Sequence, residues 1–195
     1  MFEYGDGVVL RRYREGEPCD TEREAAVMRK AAAGGVPVPE VLEVHPDALV
    51  LERIDGPTML EEIGRQPWRF ASFGRELGRI HRTVLAAGVV HGDFHPLNIL
   101  GADGPAVIDW SNGGEGDPMA DVAFSQVILA TSEADFPRWL ESVSRAVRRR
   151  FVSAYLEGVG MRPTAELVRA AADRRLLDPH LRPRELMSVR ELRRL

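Results

Sequence analysis

Short strand-like runs come first along this chain, and helical periodicity follows. Phe2 to Tyr4 and Val8 to Tyr13 read as two strands, and Gly5-Asp6-Gly7 between them is a hairpin signal. Thr21 and Glu24 stand at capping-box spacing and open a helix that runs through Val27, Met28 and Ala31. Gly34-Gly35 ends it. Val36 to Val44 is extended and interrupted by prolines. Ala48 to Leu51 is an unbroken apolar run of strand length, and Gly56-Pro57 marks a break after it. The predicted order is β–β–α–β–β.

The rhythm then changes. Phe70, Phe73, Leu77, Ile80 and Val84 recur at helical spacing. That helix delivers the chain, after a short link, to the apolar pairs Val89-Val90, Ile99-Leu100 and Val107-Ile108. Beyond Asp121 a second stripe, Phe136, Leu140, Val143, Val147, Phe151 and Tyr155, is again helical, and Glu185 to Leu195 reads as a terminal helix. Strands segregated from helices make this an α+β chain. Its 195 residues, 44% of them hydrophobic, suit one compact unit or two small lobes.

The candidate chemistry sits between those apolar pairs. In His91-Gly92-Asp93-Phe94-His95-Pro96-Leu97-Asn98 an aspartate is followed five residues later by an asparagine, and Asp109 comes eleven residues after that. Phosphoryl transfer from a metal-bound nucleotide needs those groups: a carboxylate to orient the attacking hydroxyl and take its proton, and hard oxygen ligands for magnesium. Asp93 suits the first role; Asn98 and Asp109 suit the second. A hydrogen-bonded turn between two core strands would also place carboxylates at its ends, but it does not explain the joint spacing.

The kinase catalytic loop has the form His-Arg-Asp-x-x-x-x-Asn, with a metal-binding Asp on a following strand. Here Gly92 replaces the Arg, and Asp109-Trp110 replaces Asp-Phe-Gly. With Gly116-Asp117-Pro118 and Asp121-Val122-Ala123, the segment resembles the aminoglycoside phosphotransferase-like kinases, over roughly Gly5 to Tyr155. The resemblance implies a protein kinase-like bilobal fold, with a reduced β-rich N-lobe and hinge over 1–55 and a mainly helical C-lobe over 56–195. It implies ATP and Mg2+ as cofactors and transfer of the γ-phosphate to an acceptor hydroxyl. By the same resemblance His91 serves packing and backbone hydrogen bonds. Asp117 and Asp121 are structural supports, Asp121 as a cap or first-turn residue. His95 orders the loop or stabilises phosphate.

Kinases place a lysine on the third strand, paired with a helix glutamate. The one lysine, Lys30, lies in the first helix. Strand alternation puts Val9 and Arg11 on one face, so Arg11 takes that position, with Arg12 pointing the other way. Glu24 is its natural partner, unless it completes the capping box with Thr21; Glu22 is the fallback. Leu51 to Gly56 resembles the hinge, with the Glu52 carbonyl and Ile54 amide as the adenine contacts, or else an ordinary strand end.

Charge and composition bound the partners. From residue 137 onward there are 14 Arg against 7 Asp and Glu; the preceding residues carry 12 basic against 23 acidic groups, giving the net −4. An acidic catalytic half disfavours nucleic acid as substrate and tolerates a cationic acceptor, while the resemblance implies a nucleotide and a small hydroxyl-bearing acceptor as partners. The arginines of the tail form a solvated helical face or meet an anionic partner. No apolar run approaches a membrane span, early Glu3 and Asp6 do not fit a signal peptide, and Cys19 is the lone cysteine. A cytoplasmic protein without membrane contact is expected, and nothing in the pattern sets its oligomeric state.

Two features depart from the family pattern. Only seven residues precede Val8, too few for the strand–loop–strand unit that covers the phosphates. Either Met1 is an internal start or the protein works without that loop. Nine residues separate His81 from His91, too few for the helical insertion of antibiotic-modifying relatives and closer to protein kinases or RIO-type atypical kinases. The alternatives to a small-molecule kinase are therefore a degenerate, nucleotide-binding or scaffolding kinase fold, and an atypical RIO-like protein kinase.

Overall fold

A computed structural model of the chain describes residues 2–5, 7–13, 20–101, 104–132 and 141–194. These group into two compact units, Met1–Arg65 with Thr83–Glu115, and Gln66–Arg82 with Gly116–Leu195.

The first unit is built on a four-stranded antiparallel sheet of order β1-β2-β4-β3, from β1 (Phe2–Gly5), β2 (Val8–Arg12), β3 (Val41–His45) and β4 (Ala48–Glu52). β4 is central because its four apolar residues are buried on both faces. The register Val9↔Leu51 and Arg11↔Leu49 against β4 fixes which β2 residues share a face. Helix α1 (Thr21–Ala33) lies between β2 and β3 in sequence and buries Ala25, Val27, Met28 and Ala31.

Its N-terminus differs from the expected capping box. Asp20 is the cap and accepts the Arg23 N–H at 2.9 Å, while the Thr21 hydroxyl donates to the His45 carbonyl at 2.7 Å. Asp20 outcompetes the threonine because its carboxylate also sits at the positive end of the helix. Helix α2 (Met59–Arg65) follows the Gly56-Pro57 break, and there a capping box does form: Glu61 accepts the Thr58 N–H at 2.7 Å and the Thr58 hydroxyl accepts the Glu61 N–H at 3.2 Å. A short antiparallel ribbon, β5 (Ile99–Leu100) with β6 (Ala106–Val107), completes the unit.

The second unit is helical. Helix α3 (Phe70–Ala86) begins in it and ends in the first unit. Among its described residues it also holds helices α4 (Pro118–Thr131), α5 (Glu141–Val159), α6 (Ala165–Arg175) and α7 (Pro183–Leu192). Ala123, Phe124, Val127 and Ile128 of α4 cluster with Ala171, Ala172 and Val189 as its core. Glycines let α3 and α5 touch: a Cβ on Gly74 would sit 2.9 Å from Ala154 Cβ, and Gly78 and Gly158 face backbone directly. Of the expected α5 stripe, Tyr155 is buried and Phe151 half-buried, Val147 is exposed, and Phe136 and Leu140 lie outside the described residues. Among the described residues no helix is long and apolar enough to cross a membrane.

Candidate active site

The site is assembled wholly within the first unit, from four pieces of chain. β2 contributes Arg11. Its Nη2 donates to Asp109 Oδ1 at 2.7 Å, and its Nη1 stands 3.0 Å from Glu24 Oε1, an ion pair off the line of a hydrogen bond. Glu24 thus faces Arg11 and takes no part in capping α1. Tyr13 adds a hydroxyl donor to Glu24 Oε2. Glu24 is 1% exposed, and that burial pushes its pKa up; Arg11 opposes the shift, Asp109 adds to it, and a hydrogen bond from the Trp110 main chain opposes it. Arg12 is exposed on the other face and pairs with Asp47 at 3.2 Å.

The loop from His91 to Asn98 is tied to itself and to the segment after β6. His91 is fully buried: its Nδ1 accepts the Asp93 N–H at 3.3 Å, and its Nε2 stands 3.0 Å from the Ile108 carbonyl. His95 Nε2 lies 3.4 Å from Asp93 Oδ2. The Asn98 amide donates to the Asp93 carbonyl at 2.9 Å and approaches His95 Nε2 at 3.4 Å, which leaves its Oδ1 to accept or to ligate. Burial pushes Asp93 up, but the hydrogen bond and charge of His95, with the charge of His91, outweigh it against a weaker push from Asp109. Asp93 therefore titrates below the ordinary aspartate value and remains a carboxylate.

Gly92 explains the departure from the His-Arg-Asp pattern. Its φ is +75°, and a Cβ there would lie 2.5 Å from the Asn112 carbonyl oxygen. Only glycine lets this loop lie against the turn after Asp109.

Asp109 is the single non-glycine residue with positive φ among those described, at 63°. Aspartate tolerates that conformation better than most residues. Trp110 holds it there: the indole is fully buried, donates to the Val107 carbonyl at 2.9 Å, and has its ring centroid 4.8 Å from that of His91. Both Asp109 side-chain hydrogen bonds, from Arg11 and from the Ser111 hydroxyl at 2.9 Å, end on Oδ1, leaving Oδ2 as the oxygen for a cation. Burial raises its pKa, and Arg11 and Ser111 more than offset this, so it too stays ionised.

The Ile108 N–H donates to the Asn98 carbonyl at 3.0 Å, which sets Asp109 beside the end of the loop. Among the described residues no three His, Cys, Asp or Glu gather as a metal cluster. Magnesium is commonly held by one or two carboxylates together with substrate phosphates, and two hard oxygen donors, Asn98 and Asp109, fit that demand.

Arg11 and Asp109 line a small slot together with Val9, Met28, Pro39, Leu51, Glu52, Arg53, Ile54, Leu100 and Ile108. A mostly apolar slot with a few charged groups is the usual form of a small-molecule site. The Glu52 N–H is used by the Glu40 carbonyl at 2.9 Å, and its side chain accepts the Glu40 N–H at 3.1 Å. Ile54 lies on the slot wall. Sequence reasoning did not identify Met28, Leu100 or Ile108 as slot residues: they come from separate elements, and the pattern marked them only as core.

Asp117 and Asp121 lie in the second unit. Asp117 is the cap of α4 and accepts the Met119 N–H at 2.8 Å. The cap role therefore falls to Asp117, and Asp121, one turn on and 4% exposed, faces the fully buried His81 at 3.1 Å; His81 meets the Tyr155 hydroxyl at 2.6 Å on its other nitrogen.

Comparison with known proteins gives two family matches. The RIO domain matches residues 11–123, and the phosphotransferase enzyme family matches residues 83–167. A probable serine/threonine-protein kinase BUD32 homolog of Archaeoglobus fulgidus is 28% identical over 79% of this chain and 74% of its own length. A probable bifunctional tRNA threonylcarbamoyladenosine biosynthesis protein of Methanothermobacter thermautotrophicus is 31% identical over 72% of this chain but 24% of its own length. The KEOPS complex subunit Bud32 of Pyrococcus abyssi is 34% identical over 43% of this chain and 40% of its own length. The chain thus matches less than half the length of the last two.

These matches correct two expectations. RIO and Bud32 proteins fit better than aminoglycoside phosphotransferases, in keeping with the nine-residue link between His81 and His91 that leaves no room for an acceptor-walling insertion. The expected partners, a small acceptor and no nucleic acid, are contradicted by relatives named as complex subunits and tRNA-modification proteins. The net charge of one chain governs that chain's own encounters, and a subunit of an assembly need not carry the nucleic-acid contact itself.

Proposed function

The chain belongs to the RIO domain family, with its protein kinase-like α+β fold, and from that premise we propose that it is an atypical, ATP- and Mg2+-dependent phosphotransferase of Bud32 type. Its acceptor is a protein hydroxyl, and its setting is a cytoplasmic assembly serving tRNA modification. The observation that carries the reading is the bridge from Arg11 to both Glu24 and Asp109, with Arg11 and Asp109 lining a mostly apolar slot. The relatives' names support the protein acceptor and the tRNA setting.

Each residue then has a defined task. Val9, Met28, Leu51, Ile54, Leu100 and Ile108 enclose the base, and the main chain of Glu52 and Ile54 is the edge it reads. Arg11 balances phosphate charge; as a planar fork it makes different contacts from a compact ammonium. Asn98 and Asp109 would hold Mg2+, which supplies charge neutralisation at the phosphates when bound. Asp93 orients the acceptor hydroxyl and accepts its proton at a carboxylate oxygen. Its lowered pKa makes it a weak base, suited to late proton transfer in a loose transition state. His91 fixes the loop, and His95 orients the Asp93 carboxylate.

A second reading is favoured by one observation. Arg11 and Asp109 neutralise each other at 2.7 Å, so a phosphate would compete with Asp109 for Arg11 and a cation at Oδ2 would face a carboxylate already partly neutralised. On that reading the protein is a scaffold. Melting temperature separates the two: Mg2+ with ATP should raise it, by an amount equivalent to about 2.7 kcal/mol at a hundredfold excess over Kd, and ATP with a chelator should do so much less. No shift at millimolar nucleotide would leave the scaffold.

A further inference from the structure

Residues flanking the site hold one contact that the phosphotransfer roles above do not use. Arg23 projects from the first turn of α1. Its Nη2 donates to the Ser111 carbonyl at 2.7 Å and its Nη1 to the Gly113 carbonyl, while its Nε stands 3.9 Å from the α1 cap Asp20. The planar guanidinium fork thus reads two alternate carbonyls of the turn that follows Asp109.

That turn is already tight. The Gly113 N–H closes onto the Trp110 carbonyl at 2.8 Å, Val90 and Gly114 exchange hydrogen bonds at 2.9 and 3.0 Å, and the intervening Asn112 carbonyl faces Gly92. Ser111, whose carbonyl Arg23 holds, uses its hydroxyl to fix Asp109 Oδ1. Glu24, the next residue of α1, reaches the same carboxylate from the other side through Arg11.

We infer that Arg23 is a positioning residue: by clamping the Ser111–Gly113 turn to α1 it holds Asp109 in its left-handed conformation and so sets the affinity of the site for the divalent cation. The assignment rests on the phosphotransferase reading for its metal, and on the clamp geometry for its mechanism. Arg23 is nearly half exposed, is not among the residues lining the slot and makes no hydrogen bond to Asp109, so its effect is indirect.

The test has two arms on the intact chain. In the first, Mg2+ is titrated at fixed ATP and the half-saturating concentration is read from the melting-temperature shift. Arg23→Met should need about tenfold more Mg2+, the scale of losing charge-assisted hydrogen bonds, and Arg23→Lys should be intermediate. In the second, amide hydrogen exchange is measured without nucleotide: Arg23→Met should speed exchange at Gly113 and Gly114 while the amides of β4 stay as in the wild type.

An unchanged Mg2+ requirement in Arg23→Met would overturn the assignment, whatever happens to exchange. A wild type with no Mg2+-dependent nucleotide binding would instead sink the phosphotransferase reading, and the metal role of Arg23 with it. Unchanged exchange at Gly113 and Gly114 would show that the clamp itself is not holding the turn.

Discussion

Arg11 on β2 and Asp109 after β6, 98 residues apart in sequence, meet at 2.7 Å, and the same guanidinium reaches Glu24 on α1. One side chain therefore joins the sheet, the helix and the candidate metal carboxylate.

The two halves of that bridge differ in energy. Asp109 is 44% exposed and Glu24 only 2% in their side chains, so the Arg11–Asp109 pair is screened while Glu24 depends on Arg11. Removing Arg11 leaves a buried carboxylate without its cation. Arg11→Met should cost about 3 kcal/mol in a urea melt, Asp109→Asn about 0–1 kcal/mol, and Arg11→Met with Glu24→Met should recover most of the loss. Equal costs for the two single variants would show that Glu24 does not depend on Arg11.

Two glycines make a paired test. A methyl group at Gly92 meets the Asn112 carbonyl in a left-handed conformation, so Gly92→Ala should destabilise by about 2 kcal/mol or more. Gly64, in α2, has nothing within 4 Å of an added Cβ, and Gly64→Ala should stabilise by about 0.5–1 kcal/mol. Thermal melts of the two variants should move in opposite directions.

The carboxylates set the pH dependence in metal-free buffer. Asp93 and Asp109 titrate below the aspartate reference of 3.8, so below that value the unfolded chain binds protons first and stability falls as pH falls through their folded values. Glu24 runs the other way. Its folded pKa lies above 4.5, so the native state holds the proton longer and stability declines as pH rises through that window. In urea melts across pH, Asp93→Asn should flatten the acid limb and Glu24→Gln the decline above 4.5. A Glu24→Gln curve parallel to wild type would show that burial does not raise the Glu24 pKa.

What could be read from sequence was what lies close in sequence or repeats. Asp93, Asn98 and Asp109 were legible from spacing, and β2 alternation located Arg11. The start of α1 was misread because a tertiary contact to the His45 carbonyl takes the Thr21 hydroxyl that the local pattern reserves for a cap. Helix α6 gave no clear signal because its buried face is mostly alanine, with Ala171 and Ala172 between charged residues. Arg23 was invisible because it recognises main-chain carbonyls of residues 88 and 90 positions away, and a carbonyl carries no residue type.

The account turns on Asp93 as the group that positions the acceptor hydroxyl. Its most direct test is transfer of labelled γ-phosphate from ATP to protein, measured for wild type and Asp93→Asn at saturating Mg2+, with melting temperature in Mg2+-ATP recorded alongside. Transfer should fall by about a hundredfold or more in Asp93→Asn while the nucleotide-dependent rise in melting temperature is kept. Equal transfer by the two proteins, or a wild type that binds Mg2+-ATP and transfers nothing to protein, would contradict it.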